Sequence, residues 1–392
     1  MPAPQRSDRD AVVVAARRTA VGTAGRSLAR FDTTRLAAPV LSALVADVAA
    51  LGLPARPDDV VLGNCCGPGG DVARVAALGA GLGDVVPGVT VDRQCGSGLE
   101  AVRLATHTVV AGAADLLLAG GVESASTMPW RLTRPPSPTD PPRAYTRAPF
   151  APPGHPDPEM GAAADALATA AGVTRERQDA YAARSHARTL AARDAGVFDA
   201  ELVAVGGVTA DDRPRRLDAR TLGRLRPAFT PDGTATAANA CGISDGAAAV
   251  ALVPASLATG VPGLRVLSTA VAGVDPALPG LGPVPAVRAV LERAGVRLDD
   301  VAVVELTEAF AAQVLACTDA LGLDPFGADA DRVCPDGGAI ALGHPWGASG
   351  ALLVVRLFAR LVRSPAGRPG DLGLAACAVG GGQGVAVLVE RV

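Results

Sequence analysis

The chain repeats itself, and this constrains its fold more than any single motif does. "LSALVADVAALGLPARPDDVVLGNCC" (residues 41–66) and "VRAVLERAGVRLDDVAVVELTEAF" (287–310) share one plan. Each runs from an Ala/Leu/Val helical segment through a glycine to an Asp-Asp-Val that enters a β-branched strand. A second pair follows in the same order. "GVTVDRQCGSGLEAVRLATHTVVAGAADLLLAGG" (88–121) reads as a strand, a Gly-Ser-Gly turn, a long helix and an apolar strand after Asp115. "GGAIALGHPWGASGALLVVRLFARLVRSPAGRPGDLGLAACAVGGG" (337–382) repeats that pattern, with Asp371 before the last strand. Strands alternating with helices of roughly 10–15 residues predict buried, largely parallel sheets in α/β layers. The duplication predicts two similar halves about a pseudo-twofold axis, one from 1–120 plus 242–260 and the other from 261–392.

Residues 121–241 break the pattern. Ten prolines lie between Pro135 and Pro158, which predicts an irregular excursion. Residues 161–195 then turn helical and polar. The segment reads as an inserted loop domain covering one face of the core, where insertions often build a substrate site.

At 392 residues the chain is too long for one hydrophobic core. Its 49% hydrophobic and 19% charged residues suit a compact soluble protein. Aromatics are only 3%, so Ala, Val and Leu must fill the core. The sequence contains no lysine, which excludes a Walker phosphate loop and any Schiff-base chemistry. A net charge of −3 without a basic stripe argues against nucleic-acid binding. No uninterrupted apolar run suits a membrane span, and "AVVVAA" is too short for a signal-peptide core. A cytoplasmic enzyme is the expectation. Seven cysteines form no CxxC pair and the four histidines no HxxxH pair, so reduced thiols and no metal site are expected.

Cys95, in "VDRQCGSGLEAV", follows a strand and opens a helix. A cysteine there meets the positive end of the helix dipole and free backbone N–H groups, both of which favour thiolate. His344, in "GGAIALGHPWGASGA", occupies the matching turn of the second half. If both turns approach the pseudo-axis, Cys95 and His344 meet as an activated thiol pair. The competing readings are a buried core thiol and a structural histidine. His107 and His186 read as helical and His155 lies among the prolines, without evident partners. "GISDG" at 242–246 matches a nucleophile elbow literally, but "TATAANAC" before it is not the hydrophobic strand such an elbow needs. "VGGGQG" could form an anion nest, yet lacks GxGxxG spacing.

These motifs together resemble the thiolase family, the acetyl-CoA acetyltransferases and 3-ketoacyl-CoA thiolases, over nearly the whole chain. The resemblance is carried by "AVVVAARRTAVGTAGRSLARF", "CGSGLEAV", "GGVESASTMP", "RPAFTPDGTATAANACGISDGAAAV", "TEAFAAQ", "GGAIALGHPWGASGA" and "GGGQGVAVLVE". It implies a duplicated α/β/α/β/α layered fold with an inserted loop domain. It further implies that Cys95 attacks an acyl-CoA thioester with His344 lowering its pKa. A carbanion from a second acyl-CoA then attacks the acyl-enzyme, or CoA cleaves a 3-ketoacyl-CoA in reverse. In the family a second cysteine near the C-terminus moves the α-proton. One oxyanion hole would use the backbone N–H groups of Cys95 and Gly380; the other uses the histidine and a held water. Met160, Cys241 and Phe310 fall at positions lining the pantetheine or acyl pocket. No permanently bound cofactor is implied; coenzyme A thioesters are the substrates, and the assembly is a homodimer or homotetramer.

The sequence departs from the family at four places. Aligned on "GGGQGVA", Ala378 takes the acid/base place and Cys377 stands one step early. Adjacent strand residues point to opposite faces, so Cys377 is expected to face away from Cys95 unless a bulge turns it back. Thr307 stands where the family holds its water with Asn or His. Cys241 replaces a usual serine, and Pro279 a frequent methionine. The acylation half of the mechanism is intact. Two further readings therefore stay open: transfer to a non-CoA acceptor or from a decarboxylating donor, and a non-catalytic partner subunit.

Overall fold

The computed structural model describes residues 6–392. Nine long strands carry the architecture: β1 (Ala11–Thr19), β2 (Asp59–Gly63), β3 (Gly88–Val91), β4 (Leu117–Ser124), β5 (Ser244–Pro254), β6 (Leu264–Gly273), β7 (Val301–Leu306), β8 (Leu372–Val379) and β9 (Gln383–Arg391). Their order is β7-β8-β9-β6-β1-β5-β4-β2-β3. In the first half β3, β2 and β4 are parallel, and β5 then β1 follow antiparallel. In the second half β7 and β8 are parallel, and β9 then β6 follow antiparallel. The second half thus repeats the order β2-β4-β5-β1 of the first, which carries β3 as an extra edge strand, and the two meet through a short antiparallel contact, Val12↔Arg265 and Val13↔Leu264.

The sheets are mixed, not largely parallel. The antiparallel neighbours are β8 and β9, β9 and β6, β6 and β1, β1 and β5, and β5 and β4. β8 returns directly as β9 through Gly380–Gly382, and the φ values of +81° and +80° at Gly381 and Gly382 explain the glycines there. β5 joins β4 only after the inserted segment.

Four helices define the layers: α1 (Thr33–Ala50), α2 (Ser97–Val110), α3 (Pro283–Ala294) and α4 (Trp346–Phe358). α1 and the helix Val72–Gly79 cover the outer face of the first half. α3 and the helix Ala311–Leu321 cover that of the second. α2 and α4 fill the space between the sheets, and every residue of α4 from Gly347 to Phe358 is buried. A helix apolar all round needs such a central place. α1 is long and apolar enough to cross a membrane by length and composition; its Leu36, Val40, Leu41, Leu44 and Val48 are packed into the core.

The inserted segment holds the helices Met160–Ala171 and Arg175–Asp194 and a small hairpin, Arg131–Thr133 with Arg143–Tyr145. Between Pro135 and Pro158 that second hairpin strand is the one regular element. Buried ion pairs tie the segment to the core. Arg18 of β1 holds Glu201 at 2.6 Å and Asp211 at 2.7 Å. Arg356 of α4 reaches Glu201 as well, and holds Asp336 at 2.5 Å.

Candidate active site

α2 and α4 touch at their first turns because both are built from small residues there. A Cβ on Gly98 would meet the Gly347 carbonyl at 2.8 Å, and one on Gly350 would meet the Leu99 nitrogen at 2.5 Å. Cys95 lies two residues before α2, and His344 two before α4. The matching turns of the two halves therefore converge. No hydrogen bond links Cys95 to His344 among the described residues.

The turn bearing Cys95 is held by its neighbours. Ser97 Oγ accepts from Arg93 N at 2.8 Å and donates to the Gln94 carbonyl at 2.6 Å. Gln94 adopts φ +45°, an uncommon conformation for a side-chain residue. Gly96 packs on the C-terminal hairpin, where an added Cβ would lie 2.7 Å from Val379 and 3.2 Å from Val385.

This contact decides the orientation of Cys377 and overturns the expected outward face. β8 and β9 pair without a bulge, with Cys377 opposite Val385. Ala375, Cys377 and Val379 share the face that packs on α2 and α4, while Leu374 and Ala376 face α3. The Cys377 thiol donates to the Cys95 carbonyl at 3.2 Å, with the Ala378 carbonyl also at 3.2 Å. Thr307 adjoins it: its N donates to the Ala376 carbonyl at 3.1 Å, and its buried Oγ1 has no hydrogen-bond partner.

Burial dominates the electrostatics. It pushes the Cys95 thiol well above its ordinary value, and the nearby thiols of Cys377 and Cys241 add to the rise. Cys377 is pushed up to about 12 by burial, opposed by Thr307. His344 is lowered to about 4 by burial. The resting pair is thus thiol and neutral imidazole. The tautomer follows from the partners. Ser349 Oγ donates to the Pro345 carbonyl at 3.0 Å, so at 2.6 Å it accepts from His344 Nδ1–H. Nε2 keeps its lone pair and has no partner, which suits a base.

Cys241 and Phe310 are joined through backbone pairing, and the helix that begins at Met160 adjoins them through the Phe229 ring. Cys241 N donates to the Ala309 carbonyl at 2.9 Å, and Ala240 bridges Phe310. Phe310 stacks edge-on against Phe229, with centroids 5.6 Å apart, and Gly161 beside Met160 packs against the Phe229 ring. Gly380 begins the β8–β9 turn under the ring of Phe150, at a cleft of about 270 Å³ lined also by Asp92, Gln94 and Gln383. In "GISDG", Ser244 opens β5 and donates to the Gly242 carbonyl at 2.7 Å, so no strand aims it as a nucleophile.

Three positioning residues escaped the sequence reading. Ser349 orients the imidazole. Glu123 accepts from Gly347 N at 3.1 Å, capping α4, and from the Cys65 and Cys66 nitrogens at 3.2 and 3.1 Å. Glu308 accepts from Tyr181 at 2.9 Å, Ser185 at 2.6 Å and Ile340 N at 3.2 Å, joining the inserted segment to the approach to α4. The available signal was an acidic residue inside an apolar strand or motif, "GGVES" and "LTEAF", where a buried carboxylate needs donors.

Comparison with known proteins agrees with this geometry. The thiolase N-terminal domain matches residues 11–256 and the thiolase C-terminal domain residues 262–391. A Bacillus subtilis (strain 168) protein, provisionally named acetyl-CoA C-acetyltransferase, is 41% identical over 97% of this chain and 99% of its own. The acetyl-CoA acetyltransferase of Escherichia coli K12 is 40% identical over 98% and 99%. The crystal structure of the Bacillus anthracis acetyl-CoA acetyltransferase superposes with a TM-score of 0.88 at 35% identity, covering 98% of this chain and 99% of that one. With its duplicated sheets, its two converging helix turns and these matches along its length, the chain belongs to the thiolase family and is an acyltransferase of the acetyl-CoA C-acyltransferase type.

Proposed function

We propose that the protein passes an acyl group from a coenzyme A thioester through Cys95, by Claisen condensation or, in reverse, thiolysis of a 3-ketoacyl-CoA. The observation that carries this reading is the Cys377 thiol donating to the Cys95 carbonyl, with the Cys95 and His344 turns drawn together by the Gly98–Gly347 approach and His344 Nε2 free. His344 takes the Cys95 proton as the sulfur attacks the thioester carbonyl, because a thiol raised by burial is a poor nucleophile until deprotonated. The backbone N–H groups of Cys95 and Gly380 hold the resulting oxyanion, each donor contributing about 2.7–4 kcal/mol at most. Cys377 moves the α-proton of the second acyl-CoA, and Thr307 holds the water that the family's Asn or His would hold.

Coenzyme A lies along the inserted segment, past Met160, Cys241 and Phe310. Its phosphates meet an arginine-rich edge. Arg213 packs over Gly242 with its Nε unpartnered, and Arg215 and Arg26 lie near enough to lower its pKa, after burial. No permanently bound cofactor takes part. A homodimer or homotetramer, supported by the exposed Met128, Trp130 and Leu132, and a cytoplasmic setting that keeps the thiols reduced complete the reading.

The test is intact-protein mass spectrometry after mixing with acetyl-CoA, then peptide mapping, with Cys95→Ala as control. An acetyl adduct on Cys95, discharged by CoA or a second acetyl-CoA, is the expected result. No adduct with acetyl-CoA or with longer acyl-CoAs overturns the acyl-enzyme.

A further inference from the structure

One peptide carries both the Gln94 carbonyl and the Cys95 N–H, and in a trans peptide the two point in opposite directions. Whatever holds that carbonyl therefore also aims that N–H. Two donors of one residue hold it, Ser97 Oγ at 2.6 Å and Ser97 N at 3.0 Å. The hydroxyl is itself fixed, because its oxygen accepts from Arg93 N at 2.8 Å. Ser97 is wholly buried, and the end of β2 backs it so closely that a Cβ on Gly63 would lie 2.6 Å from the Ser97 Cβ.

Gln94 is held from its other side as well. Its N–H donates to Asp92 Oδ1 at 2.7 Å, an Asx turn in which a side chain stands in for backbone. These two clamps account for the φ of +45° at Gln94, a conformation that a residue with a side chain keeps only where its surroundings over-determine it. The Cys95 N–H, directed away from Ser97, meets no acceptor among the described residues, and neither does the N–H of Gly380. Gln94 and Gly380 line the same cleft, so the two unpaired donors border one space.

We propose that Ser97 and Asp92 are positioning residues of the oxyanion hole: by clamping Gln94 on both sides they hold the Cys95 N–H ready for the negative oxygen that forms when the thioester carbonyl is attacked. Neither side chain touches the reacting atoms. Their effect is preorganisation, since a donor already in place needs no rearrangement as charge develops. The proposal rests on Cys95 being the acylated thiol.

The test compares two reactions of the Cys95 sulfur in the full-length protein. Acetylation by acetyl-CoA builds an oxyanion. Alkylation by iodoacetamide, which displaces iodide from a saturated carbon, builds none. Ser97→Ala should slow acetylation by about 10–10²-fold, less than the roughly 10²–10³-fold of deleting a donor outright, and leave the alkylation rate where it was. Asp92 is exposed, so Asp92→Ala should fold and show the same split more weakly. Asp92→Asn keeps the acceptor oxygen and should restore acetylation. Equal loss of both reactions would make these side chains packing groups of the Cys95 turn and overturn the proposal. Acetylation at the parental rate in both alanine variants would overturn it as well, with the acyl-enzyme reading left standing. No acetyl adduct on the parent protein overturns the two together.

Discussion

With Nδ1 tied to Ser349, His344 offers Nε2 to whatever proton lies beside it, and burial keeps it neutral down to about pH 4. The acid limb of the acylation rate should therefore fall near 4, not near the 6.5 of an ordinary histidine. His344→Ala should slow acylation by about 10²–10⁴-fold at neutral pH, the usual contribution of a positioned base. The loss should shrink as the pH rises, since hydroxide then ionises the Cys95 thiol directly. Rapid-quench measurement of the Cys95 adduct across pH checks this; a pH-independent deficit would remove His344 from the proton transfer. Cys377→Ala separates the two halves of the reaction. Acylation of Cys95 should persist, while α-proton exchange of acetyl-CoA in deuterated water should fall by about 10²–10⁴-fold. Equal loss of both would make Cys377 a packing residue of the Cys95 turn.

At the scale of elements, the site exists because two helix starts come close enough for backbone to touch backbone. A Cβ on Gly347 would lie 2.7 Å from the Val122 carbonyl and 2.9 Å from Gly63 O, neither of which can swing aside. Gly347→Ala should cost about 1–3 kcal/mol by overpacking. Gly223→Ala, at a position with open space and no left-handed φ, should be nearly silent. Chemical denaturation of both variants compares them, and equal stabilities would show that α4 can shift. The helix pattern itself was legible in "CGSGLEAV" and "HPWGASGALLVV", where small residues precede apolar ones. Ser349 was not, because a serine in a glycine-rich turn reads as a turn former until the imidazole is seen resting on it.

Across the whole molecule, the inserted segment is fastened by charge. Glu201 lies between Arg18 and Arg356, with all three side chains almost wholly buried. Glu201→Ala should destabilise by about 3–5 kcal/mol, because it leaves two buried guanidinium groups short of a partner. A double replacement of Glu201 and Arg18 by apolar residues should recover part of that, as thermal unfolding would reveal. His186 is lowered to about 3 and His344 to about 4, in both cases chiefly by burial. Both depressed values mean that the unfolded chain binds more protons than the native one between about 6.5 and the folded values. Their stabilising contribution is full above that window and is lost as the pH falls through it. His186→Gln should flatten the pH dependence of the melting temperature on the acid side of neutrality; an unchanged slope would assign the acid sensitivity to carboxylates instead.

By itself the sequence determined the duplication, the helix-opening turns of Cys95 and His344 and the family, because repeats, glycine turns and long ordered motifs are local patterns read along the chain. It left the sheets too parallel, since direct return by a hairpin is a matter of strand pairing. Only the tertiary structure decided the direction of Cys377. Counting from the glycine run told which residues alternate but not which of the two faces meets the nucleophile. Gly96 settles it by packing on Val379 and Val385, which turns the odd-numbered face of β8, Cys377 included, toward Cys95.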